Sequence, residues 1–351
     1  MANDRLLDKE VLRHFPKVEL HRHLEGTYPL DKLYEIAKRN GLTVPSTLKK
    51  FREENQFPQN GQPDFLLFLS KFKNDWYRNL NDIAEITYHA VKTFRQDAIF
   101  YMELRFNPEH YAAFNNFNRA EVSKVVIHSA LQAALEDDLR LKFLITLNRG
   151  KQTEDDLIAM YQQVKGVSSE ICGYDLAGDE TNYPPQDFQR LFDLIRQDGF
   201  KATIHAGEVS PSQQIWDAIR LLHAARIGHG TSAIQDLELQ AYLKDKNILL
   251  EQCLTSNRQT GSWKDTPNHP FGKLFHEGVP VTLNSDDPHI QNTDLTDDYL
   301  LAIRYFNLTL DDLIRINLTA IRGSFLLDKE KAALESDYQA AVSVFRKRFK
   351  L

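Results

Sequence analysis

The segment Lys17-Val-Glu-Leu-His-Arg-His-Leu-Glu-Gly26 sets two imidazoles two residues apart, at His21 and His23. Side chains along a strand alternate between faces, so this spacing aims both rings the same way. Two aligned imidazoles are half of a metal site. A third, His205, ends the apolar run in Ala202-Thr-Ile-His-Ala-Gly-Glu208, and a carboxylate, Asp286, ends another in Val281-Thr-Leu-Asn-Ser-Asp-Asp-Pro288. Three nitrogens and one carboxylate, with a position left for water, suit Zn²⁺ first and other divalent first-row cations second. Such a cation does hydrolytic chemistry, because coordination brings the pKa of water from about 16 to about 7.

Three more residues sit at comparable positions. Glu208 follows His205 across Ala206-Gly207, whose small side chains let a ligand approach the backbone. Burial would raise its pKa, which suits a proton donor to a ring nitrogen, although a carboxylate there also suits the first turn of a helix. His229, in Arg226-Ile-Gly-His-Gly230, ends a strand between glycines and can orient or deprotonate a water; a core histidine fits the same pattern taken alone. Asp286 and Asp287 are neighbours at a strand end, so their carboxylates should diverge, one toward the cation and one into the pocket. The same Asp-Asp-Pro unit also caps turns. One acid, one water-orienting imidazole and one spare carboxylate suit addition of hydroxide to an sp² carbon of a nitrogen heterocycle or amide.

These residues need a scaffold that brings strand ends together. Eight short apolar runs, at residues 18–24, 99–106, 142–147, 171–176, 202–205, 226–228, 248–252 and 279–284, alternate with helix-length amphipathic stretches. That alternation predicts an α/β fold, a closed (β/α)8 TIM barrel with its active site at the C-terminal strand ends. No Gly-x-Gly-x-x-Gly turn follows the first run to suggest a dinucleotide fold. The 351 residues exceed the usual barrel of about 250 but stay within its range, so 1–351 reads as one domain. Residues 28–98 form an insertion too long for an ordinary loop. Leu30, Leu33, Ile36 and Ala37, then Phe65, Phe68, Leu69 and Phe72, have helical spacing, and the insertion is expected to roof the barrel mouth. The chain beyond Asp287, through Tyr299, Phe306 and Leu326, reads as closing helices.

Composition narrows the partners. A formal charge of −6 argues against a nucleic-acid footprint, which needs a positive excess. The basic run Arg346-Lys347-Arg348-Phe349-Lys350 reads as the solvated end of a last helix. No apolar stretch approaches the length of a membrane span, and the charged N-terminus is unlike a secretory signal. Two cysteines make no disulfide framework, and a cytoplasmic location is expected.

With these residues in hand, the chain resembles the adenosine deaminase family of the amidohydrolase barrels over nearly its full length. The segments that carry the resemblance are Val18-Glu-Leu-His-Arg-His-Leu-Glu-Gly26, Met102-Glu-Leu-Arg-Phe106, Asp175-Leu-Ala-Gly-Asp-Glu180, His205-Ala-Gly-Glu208, Arg226-Ile-Gly-His-Gly230, Thr255-Ser-Asn-Arg-Gln-Thr-Gly261 and Leu283-Asn-Ser-Asp-Asp-Pro288. The resemblance implies that His21, His23, His205 and Asp286 hold one zinc per subunit. It implies that Glu208 protonates purine N1, that His229 orients the water and, with Asp286, stabilises the developing charge. His23 and Asp287 would contact substrate, Asp287 at N7, with the Gly178 backbone at N3. The implied substrate is a small-molecule purine, adenosine or its deoxy form, released as the 6-oxo purine with ammonia.

One departure stands out. Where adenosine-specific members commonly carry an aspartate near the ribose, this chain has Glu25. A longer carboxylate there resembles members acting on adenine or on aminodeoxyfutalosine. By contrast, Gln259-Thr-Gly-Ser-Trp263 and the Pro63-Asp-Phe65 start of a helix look like the nucleoside deaminases. Nucleic-acid deaminases use His-x-Glu with Pro-Cys-x-x-Cys, and neither occurs here. A phosphotriesterase-like hydrolase would want a bridging lysine, yet Lys142 begins its strand, and a barrel reduced to a binding protein would lack a ligand or the acid.

Overall fold

A computed structural model describes residues 5–58 and 61–351. Its eight strands are β1 (Lys17–His23), β2 (Ile99–Phe106), β3 (Arg140–Arg149), β4 (Ile171–Gly178), β5 (Lys201–Ala206), β6 (Arg226–His229), β7 (Leu249–Gln252) and β8 (Val281–Leu283), neighbours in that order. Every adjacent pair is parallel, which requires the helical crossovers that separate them. The ring closes between the end of β8 and β1. There the His23 N–H donates to the Asp286 carbonyl at 2.9 Å, and the Asp286 N–H donates to the His21 carbonyl at 3.0 Å. The fold is therefore the expected TIM barrel, and its seam runs through two of the candidate ligands. At β8 the strand is shorter than the apolar run; at its start the Pro280 carbonyl accepts from the Leu250 N–H, but Pro280 has no N–H to give.

Barrel strands usually fill the interior with branched apolar side chains. Here alternate positions carry Glu19 and His21 on β1, Glu103 and Arg105 on β2, Asp175 on β4, Arg226 on β6 and Glu251 on β7, all buried. Several of them pair across the barrel. Arg226 donates to Glu103 Oε2 and to Glu251 Oε1, both at 2.6 Å. Arg105 donates to Glu251 Oε2 at 2.8 Å and lies 3.3 Å from Asp175 Oδ1. At the N-terminal end, Lys17 Nζ donates to the carbonyls of Leu12, Phe15 and Asp97 at 2.8, 3.0 and 2.9 Å. Outside the strands an apolar shell continues into the surrounding helices.

Between β1 and β2 the chain forms the helices Leu30–Arg39, Leu48–Asn55, Phe65–Leu69 and Leu80–Lys92; residues 59–60 of the expected 28–98 insertion lie outside the described residues. Leu33, Ile36 and Ala37 are buried, as the 3.6-residue spacing requires. Phe68 packs with Phe57 and Ile290, whereas Leu69, expected on the same face, is 46% exposed. The insertion touches the segments after β7 and β8: the Asp64 N–H donates to the Gln259 carbonyl at 2.9 Å and the Phe57 N–H to that of Ile290 at 2.6 Å. Three helices, Leu295–Phe306, Leu310–Gly323 and Asp328–Phe349, close the barrel, and the basic run falls in the last turn. Among the described residues, no helix is long and apolar enough to cross a membrane.

Removing one partner of a buried ion pair strands the other charge and costs about 3–5 kcal/mol. Arg226→Met would leave both Glu103 and Glu251 short of a cation, so urea unfolding should show a loss of that size. A midpoint within error of wild type would mean that the interior charges do not support one another.

Candidate metal centre and pocket

At the C-terminal ends of β1, β5 and β8, one donor atom from each of His21, His23, His205 and Asp286 lies within 4.8 Å of the other three. Asp286 Oδ1 is 3.3 Å from His21 Nε2 and 3.4 Å from His23 Nε2. All four side chains are buried or nearly so. The chain fits a divalent cation on two further observations. The inner nitrogen of His21, Nε2, is buried with no hydrogen-bond partner, an expensive state for a lone pair unless something binds it. Moreover, three imidazole nitrogens with one carboxylate are a donor set that suits a divalent first-row cation.

The outer nitrogens explain how the rings are aimed. His21 Nδ1 is 2.8 Å from Glu251 Oε2, and His205 Nδ1 is 2.9 Å from Asp175 Oδ1. Each carboxylate accepts the Nδ1 proton, which leaves the Nε2 lone pair facing the cluster. Burial lowers the His21 and His23 pKa values, which keeps both rings neutral and able to ligate. Burial acts the same way on His205, but the adjacent Asp175 outweighs it and raises the value. Burial disfavours the charge on Asp286 too, yet the surrounding imidazoles hold its pKa well below the usual range.

Asp286 and His229 both have positive φ, at 64° and 58°. For residues other than glycine this costs about 1–2 kcal/mol each. The left-handed turn at Asp286 lets its N–H and carbonyl bond to β1 while its side chain reaches inward. This geometry corrects one expectation. Asp286 and Asp287 lie beyond β8 and are separated by that turn, not by strand alternation, and they stay close enough to interact: burial first, then Asp286, pushes Asp287 well above the normal range. Asp287 Oδ1 is buried without a partner. Gly26 makes room for it, since a Cβ there would stand 1.9 Å from Asp287 Oδ1.

Glu208 lies across the cluster, its Oε2 3.6 Å from His229 Nε2 and its Oε1 accepting from Thr260 Oγ1 at 3.1 Å and Asn257 Nδ2 at 3.3 Å. Burial raises its pKa. His229 Nε2 is also 3.7 Å from Asp286 Oδ2. Gly178 ends β4 at φ 102°, where a Cβ would meet the Arg149 carbonyl at 2.4 Å. Glu25, in the single 3-10 turn Leu24–Gly26, is buried, accepts from the Asn107 N–H at 2.7 Å, and burial pushes its pKa up to about 8. Thus His21, His23, His205 and Asp286 come together with His229 and Glu208 at the C-terminal strand ends, Asp287 and Glu25 lie beside them, and Gly178 ends β4.

Sequence reasoning gave no role to Asp175, Glu251, Arg105, Asn257, Thr260 or His269. A usable signal existed for three of them. Arg105, Asp175 and Glu251 interrupt otherwise apolar strands, and a charge inside a barrel strand must be answered by another.

The profile of the adenosine deaminase family matches residues 16–341. An adenosine deaminase of Klebsiella pneumoniae (strain 342) is 31% identical over 327 residues, spanning 91% of this chain and 96% of that protein. An adenine deaminase from Arthrobacter aurescens superimposes with a TM-score of 0.85 at 23% identity, covering 93% of this chain and 99% of that one. An amidohydrolase from Burkholderia ambifaria with bound Zn gives 0.88 at 22% identity, covering 98% and 95%. At those identities the two structures speak for the fold.

Asp175→Asn should weaken cation binding about 10- to 100-fold, because it replaces the charged acceptor that orients His205. Chelator competition measures this directly, and unchanged affinity would remove Asp175 from that role.

Proposed function

The chain belongs to the adenosine deaminase family and is a hydrolytic deaminase acting on a cyclic carbon–nitrogen bond; from that premise we propose that it converts adenosine and 2′-deoxyadenosine to inosine and 2′-deoxyinosine with release of ammonia. The observation that carries the reading is the convergence of Glu208, His229 and Asp287 around the four-donor cluster, with the free Asp287 oxygen and the raised Glu208 carboxyl both available to a heterocycle. His21, His23, His205 and Asp286 would hold the cation. Zinc is the first choice for that donor set, and it is the metal bound in the Burkholderia amidohydrolase. When bound, it supplies the Lewis acidity that makes water a nucleophile near neutral pH.

The protein groups do the rest. Glu208, whose protonated form burial favours and which Thr260 and Asn257 steady, gives a proton to purine N1 and so draws electrons from C6. His229 orients the incoming water and, with Asp286, offsets charge as it adds. Asp287, whose proton is favoured by burial and then by the neighbouring Asp286, donates to N7. The Gly178 main chain reaches N3. Collapse expels ammonia and leaves the 6-oxo ring. The insertion 28–98 roofs the pocket within a single domain, consistent with its bonds to the segments after β7 and β8. Free Cys172 and Cys253 accord with a cytoplasmic enzyme.

Glu25 favours a second reading, deamination of adenine or of a related adenine metabolite such as aminodeoxyfutalosine. One of its carboxyl oxygens accepts from the Asn107 amide and the group lies near Tyr28, Tyr77 and Tyr111, so less of it is free for a ribose hydroxyl. The Klebsiella relative, more similar in sequence than the Arthrobacter adenine deaminase, supports the nucleoside.

Ammonia release from adenosine, deoxyadenosine, adenine and aminodeoxyfutalosine should give the highest kcat/KM for the nucleosides; an adenine preference overturns that choice. Glu208→Gln should retain the cation by elemental analysis and lose about 10²- to 10⁴-fold in kcat. Wild-type turnover in that variant would dismiss Glu208 as the acid. Phe65→Ala should raise KM several-fold if residues 28–98 form a roof, and unaltered kinetics would make Phe65 a packing residue only.

A further inference from the structure

His229 owes its orientation to a chain of three hydrogen bonds that starts at a backbone amide. The Phe271 N–H, at the start of the helix Pro270–His276, donates to His269 Nδ1 at 3.1 Å. An amide can only donate, so Nδ1 must be unprotonated and the single ring proton must sit on Nε2. Burial first, then the neighbouring His229, pushes the His269 pKa down to about 3, so the ring stays neutral. His269 Nε2 is 3.0 Å from Asn257 Oδ1 and therefore donates to it. That fixes the Asn257 amide, an assignment usually ambiguous by a flip. Its Nδ2 then faces His229 Nδ1 at 3.1 Å and Glu208 Oε1 at 3.3 Å. Since Nδ2 can only donate, His229 Nδ1 must accept, and the His229 proton must lie on Nε2, toward Glu208 and Asp286.

We infer that His269 and Asn257 are positioning residues that lock His229 in the Nε2–H tautomer, holding its proton toward the reacting centre. Every donor and acceptor in the chain is used in one direction only, so the polarity set by one backbone amide passes through two side chains to a third. Asn257 also ties the Glu208 carboxyl to the same relay, so the proton-bearing groups on both sides share one anchor. The bland alternative is that His269 is a helix cap and Asn257 a packing amide. A cap needs only Nδ1, however; it does not need Nε2 aimed at a second buried amide.

The kinetic consequence rests on the deaminase reading above, but the tautomer itself does not. The test is therefore ¹⁵N-histidine NMR of the full-length, zinc-loaded protein, alongside kinetics. In wild type, His229 Nδ1 should resonate as an unprotonated, pyridine-like nitrogen. His269→Ala frees the Asn257 amide to flip, and Asn257→Asp offers His229 an acceptor in place of a donor. Both should move the His229 proton to Nδ1, with kcat falling about 10- to 100-fold and KM within about threefold. His269→Gln, whose amide can donate to Asn257, should recover most of both signals. If either variant keeps the wild-type His229 nitrogen pattern, or loses activity in step with stability alone, the relay is refuted and His269 is a cap. Should His269→Ala fail to fold, Asn257→Asp still decides. A protein that turns over none of the purines yet shows the tautomer switch would overturn the substrate reading and leave the relay standing.

Discussion

The molecule is organised around Glu251. Its two oxygens are shared by Arg105, Arg226, Thr203 and the outer nitrogen of His21, all inside the barrel. Burial alone would protonate such a group, but the two guanidiniums hold its pKa well below normal. A charge in that position is tolerated only if its neighbours stay charged, so the interior behaves as one ionic assembly and not as a set of separable pairs. Arg105 extends it to Asp175, and Asp175 to His205. Two of the candidate ligands are thereby oriented by carboxylates that one arginine holds.

A second constraint is closure. The barrel's last seam is made by Asp286 pairing its main chain with His21 and His23. Stability and site geometry therefore share the same backbone atoms. The left-handed conformations at Asp286 and His229 are unfavourable in isolation, and the hydrogen bonds around them over-determine those conformations, including one from Gln252 Nε2 to the His229 carbonyl. Gly26 and Gly178 serve the same end by absence, since a side chain at either would collide with Asp287 or with the β3 backbone.

A common rule runs through the histidines. His21, His205 and His229 each have Nδ1 engaged, by Glu251, Asp175 and Asn257, and each directs Nε2 inward. The difference lies in the partner. A carboxylate accepts the Nδ1 proton and makes the inner nitrogen a lone pair, fit to ligate. An amide NH₂ donates to Nδ1 and makes the inner nitrogen a proton bearer, fit to donate. Identical side chains at neighbouring strand ends are thus given opposite roles by what stands behind them.

That division separates what the chain states outright from what it does not. The barrel was legible in eight largely apolar runs alternating with helix-length amphipathic stretches, because parallel strands need helical crossovers between them. The candidate ligands were legible as polar residues ending those runs, and His21-x-His23 as a pair on one strand face. Glu25 was legible only as a residue type; its burial and its bond to Asn107 were not. Which histidine presents a lone pair and which a proton was fixed by partners up to 230 residues away in sequence, and no local spacing encodes such a contact. The sequence by itself determined the strands, their ends and the donor types, since these follow from periodicity and side-chain chemistry. Tertiary structure alone decided the tautomers, the left-handed turn at Asp286 and the charge balance inside the barrel, because each depends on what the closed ring brings within about 3 Å.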